Sequence, residues 1–118
     1  MPRAPDVVID CHIDDVFAFL ADLTNAPRWA PGVVSVAQVG GDGPGPGALY
    51  DVVRRVRGRR RRTAAVCVAW EPPQRVAWRE DRGEVTYELR SVWTATRVTA
   101  LGGAVRDLRG LRRALEGR

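Results

Sequence analysis

A chain of 118 residues with 45% apolar content is long enough to close one hydrophobic core and too short for two, which excludes wholesale disorder and a second domain. No apolar run approaches the roughly 20 residues that span a bilayer, and the opening "MPRAPDVVID" lacks the apolar stretch of a secretory signal, so the expected compartment is the cytoplasm. The net charge of +5 favours anionic partners in general, whether nucleic acid, membrane surface or an acidic carrier protein, and selects none of them.

In chain order, "DVVIDCHI" reads as a short strand, and "IDDVFAFLADL" follows with Ile13, Val16, Phe17, Leu20 and Leu23 on one helical stripe. His12 falls at the N-cap, and Asp14 and Asp15 fall in the first turn, where the helix dipole favours carboxylates. Asn25 and Pro27 are expected to end the helix, and the prolines on both sides of Trp29 leave a kinked segment or one short turn. From Val33 the period changes to two. "VVSVAQV", "ALYDVVRRV", "RTAAVCVAW", "QRVAWRE", "EVTYELRSV" and "ATRVTAL" predict six successive strands in an antiparallel meander. After Gly102 and Gly103, Val105, Leu108, Leu111 and Leu115 predict a closing helix of about four turns.

Alternation within the strands picks the buried faces: Val85, Tyr87 and Leu89; Val76 and Trp78; Val66, Val68 and Trp70; Tyr50, Val52 and Val56. Arg54 shares the last of these faces. Its guanidinium then either finds a carboxylate or a ligand among apolar neighbours, or reaches water past the rim of the sheet. The stretch "RRVRGRRRRT" puts seven arginines into ten positions around Gly58, between two strand-like flanks. Arg59 to Arg62 are expected on an exposed hairpin turn. That run reads first as a solvated turn, next as a patch for an acidic partner or membrane surface, and last as an RNA site, because the aromatics needed for base stacking sit on the inward register.

Catalytic constellations are sparse. A nucleophile–histidine pair would have to use His12, the only histidine, and Asp14 with Asp15 are accounted for by the helix dipole. All 19 basic residues are arginine, which excludes a Schiff-base lysine. One histidine and the separated Cys11 and Cys67 cannot make a four-ligand zinc site, so neither metal nor cofactor is expected and both thiols are expected free. The aromatic set Trp29, Tyr50, Trp70, Trp78 and Tyr87 is the main functional clue: it either walls an apolar pocket oriented by a phenol or guanidinium, or fills the core.

The order strand, helix, proline-rich kink, six strands, helix is a helix-grip arrangement, and three motifs extend the likeness. "DDVFAFLADLTNAPRWAPGVVSV", "WEPPQRVAW" and "TATRVT" together resemble the polyketide cyclase/dehydrase branch of the START-like superfamily, over essentially the whole chain. The resemblance implies an α+β fold in one domain, residues 1–118, with a curved antiparallel sheet of about seven strands gripping a carboxy-terminal helix. It also implies a groove between sheet and helix for a small hydrophobic or aromatic molecule, lined by Trp29, Tyr50, Val52, Arg54, Val68, Trp70, Trp78, Tyr87 and Leu108. Cyclase or dehydrase activity, if present, would rest on Arg54, Tyr50 and Tyr87, stabilising an enolate oxygen or relaying a proton. The final helix is shorter than in such relatives, which leaves one end of the groove open or filled by side chains.

Overall fold

The computed structural model describes residues 4–102 and 107–117. Seven strands, β1 (Asp6–Ile9), β2 (Val33–Gly40), β3 (Leu49–Val56), β4 (Arg59–Glu71), β5 (Arg75–Glu80), β6 (Gly83–Val92) and β7 (Ala95–Gly102), form one curved antiparallel sheet. Its order is β1-β7-β6-β5-β4-β3-β2, so β2 to β7 are the expected meander and β1 pairs with β7 at the far edge. Two helices, α1 (Ile13–Leu20) and α2 (Arg109–Glu116), and a 3₁₀ segment (Leu23–Arg28) cover one face.

His12 caps α1 as its sequence position implies: Nδ1 accepts a hydrogen bond from the Asp14 amide at 3.2 Å. Val16, Phe17, Phe19 and Leu20 turn inward. The helix stops at Leu20, short of the expected stripe to Leu23, because Asp22 starts the next element. Its carboxylate accepts from the Thr24 amide at 3.1 Å and the Thr24 hydroxyl at 2.6 Å. The resulting 3₁₀ segment contains Pro27 and delivers Trp29 to the core.

Alternation holds along most of the sheet; register shifts interrupt it on β2, at Val33/Ser35 and Gln38/Gly40, and on β4. Tyr50 and Val52 on β3, Ala65 and Cys67 on β4, Val76 and Trp78 on β5, Tyr87 and Leu89 on β6, and Val98 and Ala100 on β7 are all buried in one cluster. On β4 the pairing jumps from Cys67↔Trp78 to Ala69↔Ala77, leaving Val68 as the extra residue of a β-bulge. Val68 is therefore exposed and Val66 only half-buried, correcting their expected inward placement, while Trp70 returns to the covered face beyond the bulge. A period of two is carried only until an extra residue is inserted.

A second correction concerns the arginine run. The β3–β4 turn is only Arg57–Gly58, both at positive φ (52° and 79°), and the ladder resumes at once with Val56↔Arg59. Arg59 to Arg62 are thus the first four residues of β4 rather than a turn.

The closing helix is also shorter than expected, two turns instead of about four. Asp107 lies before the helix, where its carboxylate accepts from the Arg109 amide at 2.9 Å and from the Arg109 guanidinium. Val105 lies outside the described residues. Leu108, Leu111 and Leu115 pack into the core, and Gly110 lies directly over the Trp29 carbonyl. At the other end of α2, Glu116 accepts from the Asp10 amide at 2.8 Å, fastening the helix to the segment after β1. Among the described residues no helix is long and apolar enough to cross a membrane.

Candidate functional site

The covered face of the sheet gathers most of the aromatic set. Trp78 on β5 and Tyr87 on β6 meet edge to face, with ring centroids 5.8 Å apart, and Trp29 meets Tyr87 in the same manner at 6.1 Å. Each such pair adds roughly 0.5–1.5 kcal/mol beyond its buried area. Tyr50, Val52 and Leu108 belong to the same cluster. Trp70 stands apart, half-buried with its ring 5.2 Å from that of Phe17 on α1, and Val68 faces away. Of the nine residues expected to line a groove, Val68 is thus excluded by the bulge.

The rings of Trp29, Trp78 and Tyr87 pack against one another between sheet and final helix. Two surface clefts stand out among the described residues, and neither is lined by the aromatic set. One, of about 390 Å³, lies between α1, the 3₁₀ segment and the end of α2, with Asp15, Phe19, Asn25 and Arg28 in its wall. The other, of about 440 Å³, lies at the ends of the β3–β4 and β5–β6 hairpins.

One buried polar atom is left over. Trp78 Nε1 is inaccessible to solvent and has no acceptor among the described residues. An unsatisfied buried donor costs about 1–3 kcal/mol.

A polar belt borders the aromatic cluster. Arg54 reaches across β4 to Glu80 in a bidentate ion pair, with Nη2 to Oε2 at 2.9 Å and Nη1 on Oε1. Thr63, on the intervening strand, donates its hydroxyl to Glu80 Oε1 at 2.7 Å. Of the two readings of Arg54, the carboxylate partner is the one realised. Burial pushes the Glu80 carboxyl up, but the hydrogen bonds of Arg54 and Thr63 and the Arg54 charge outweigh it and hold the group below its ordinary value. Glu80 and Thr63 were missed in the sequence. The signal for Glu80 was present, since the alternation that selects Val76 and Trp78 continues to position 80.

The two phenols are tuned away from base chemistry. Burial, with smaller contributions from the charges of Asp22 and Cys67, raises Tyr50 to about 12. Burial likewise raises Tyr87, with Arg54 pulling the other way and Glu80 adding to the rise. Both remain protonated near neutrality, where a phenol donates hydrogen bonds and does not accept protons.

Comparisons with known proteins agree with the geometry. A search among curated protein sequences finds no match. Among solved structures, a protein from Thermus thermophilus superposes with a TM-score of 0.76 at 16% identity, covering 96% of this chain and 95% of its own. A START superfamily protein from Mycobacterium smegmatis gives 0.68 at 12% identity, covering 98% and 94%. The di-domain ARO/CYC protein StfQ of the steffimycin biosynthetic pathway gives 0.67 at 15% identity, with 98% of this chain covering 42% of that one. At these identities the likeness establishes the fold. The family model for polyketide cyclase / dehydrase and lipid transport matches residues 5–117, and with that match over nearly its whole length the chain belongs to this family.

Proposed function

We propose that the protein binds a small hydrophobic or aromatic molecule carrying a carbonyl or hydroxyl oxygen, held on the covered face of the sheet under Trp29 and α2. The observation that carries this reading is the orphaned Trp78 Nε1, a donor set among Trp29 and Tyr87 beside the Arg54–Thr63–Glu80 belt. An oxygen acceptor on the ligand would remove the penalty of that donor, and the rings would supply contact area. Because the rings close on one another, binding requires Trp29 and α2 to move outward, exchanging ring–ring contacts for ring–ligand contacts. Binding should therefore be slow and selective for flat molecules.

Titration of tryptophan fluorescence with a panel of flat aromatic ketones, checked by native mass spectrometry, tests the reading. Saturable quenching with a bound species is expected. Trp78→Phe should weaken a ketone roughly tenfold while lowering stability by less than about 1 kcal/mol, since it also removes an unpaired donor. No quench and no bound species across the panel would remove the proposal.

Cyclase or dehydrase chemistry is a second reading, supported by the family description and by the ARO/CYC neighbours. Here Arg54 and the protonated Tyr50 and Tyr87 would stabilise enolate oxygens, and positioning with water exclusion would do the rest. Turnover of a carrier-tethered polyketone that disappears in Arg54→Ala would support it; binding without product would leave a carrier.

A further inference from the structure

Beyond the Arg54–Glu80 pair, towards the hairpin ends, the charge on this face of the sheet is unbalanced. Along β4, Arg59 and Arg61 share the side of Thr63, while Arg60 and Arg62 take the other. Arg57 from the β3–β4 turn and Arg82 from the β5–β6 turn join the first pair, and with Val56 these four line the cleft of about 440 Å³. None of the four has an ion pair among the described residues, whereas Arg54, Arg62, Arg75, Arg79 and Arg97 are all matched with carboxylates. The local carboxylates do not compensate: Glu80 is committed to Arg54, Glu84 stands 3.6 Å from Arg79, and only Asp81, in the turn with Arg82, remains near.

A second observation points the same way. Arg57 occupies a left-handed position, φ 52°, where a two-residue hairpin ordinarily carries asparagine, aspartate or glycine. A long cation is thus held at a conformational cost beside three others, within a Debye length of them. The mutual repulsion of these cations falls when an anion occupies the cleft.

We propose that Arg57, Arg59, Arg61 and Arg82 form a binding site for a phosphate-class anion. Guanidinium forks match the paired oxygens of a phosphate, and four of them on two hairpins suit a group of more than one negative charge. Single-stranded RNA is the poorer fit. The most exposed aromatic side chain, Trp93 (97% exposed), sits at the β6–β7 turn, which an antiparallel meander places at the opposite end of the sheet, so no stacking ring stands beside these arginines. The site does not depend on whether the aromatic face binds a ligand.

The test compares the intact chain with Arg59→Gln/Arg61→Gln, which empties the cleft of two cations, and Arg60→Gln/Arg62→Gln, which removes the same charge from the other face of the same strand. Calorimetric titration with pyrophosphate probes a soluble phosphate. Co-sedimentation with phosphatidylglycerol vesicles, against phosphatidylcholine vesicles, probes a lipid headgroup. At least one anionic probe should bind, with the first double variant weakened by roughly tenfold or more and the second by about threefold at most. Should the first double variant melt early, Arg82→Gln in the other hairpin supplies the same comparison. Absence of binding to both probes, equal losses in the two double variants, or retention of a single-stranded oligoribonucleotide alone would overturn the site.

Discussion

Replacing Gly110 with alanine adds one methyl group to α2 at the point where the helix lies on the Trp29 backbone. The new Cβ would stand 2.1 Å from the Trp29 carbonyl oxygen and 3.2 Å from its carbon. A carbon and a carbonyl oxygen settle no closer than roughly 3.3 Å, so the helix must withdraw by about 1 Å. Two effects compete. Helix propensity favours the alanine by up to about 1 kcal/mol. Overpacking costs about 1–3 kcal/mol, and withdrawal also loosens Leu108, Leu111 and Leu115, each worth roughly 1.5–3 kcal/mol when fully buried. The second effect wins because the obstacle is backbone, which cannot rotate aside. Gly110→Ala is expected to destabilise the protein by about 2 kcal/mol, lowering the melting temperature by roughly 8 °C. Urea denaturation followed by circular dichroism measures this. Arg113→Ala, exposed on the same helix, serves as the control and should change stability by less than about 0.5 kcal/mol. A Gly110→Ala protein as stable as the parent, or more so, would refute the close approach of α2 to Trp29 and with it the cover over the aromatic face.

Glu80, whose carboxyl is held below its ordinary value, contributes stability that is present above the unfolded carboxyl pKa of about 4.3 and is lost as pH falls through the lower folded value. Glu80→Gln should therefore flatten the acid limb of a stability–pH curve below about pH 4.5 and cost about 1–2 kcal/mol at neutral pH, a figure discounted for the partly exposed Arg54; an unchanged acid limb contradicts the pairing. The phenols act at the other end of the scale. Tyr50 should ionise at about 12, so stability falls as pH rises from the ordinary phenol value of about 10 through that point; a phenolate absorbance appearing near 10 with the fold intact would be inconsistent with its burial. Val68→Thr should change stability by less than about 0.5 kcal/mol, whereas Val76→Thr, which buries a hydroxyl, should cost about 1–3 kcal/mol; equal costs would undo the assignment of faces across the bulge.

Local pattern was enough to read the strands, the meander, the His12 cap and the hairpin at Gly58. Each depends on residues within a few positions of one another: the period of two along "EVTYELR", the turn geometry of Arg57–Gly58, the reach of a cap to its first helical turn. The same alternation placed Trp78 and Tyr87 correctly on one face, and the three quoted motifs carried the family. What the tertiary structure decided involves partners distant in sequence. The bulge at Val68 is defined by pairing with β5, and no propensity at position 68 announces it. Arg54 found Glu80, 26 residues away, only because β3 and β5 flank β4 with matching register. Whether the inward rings enclose a void or fill it depends on how far α2 descends. That distance is set by Gly110 against Trp29, a contact between segments far apart in the sequence that periodicity cannot encode.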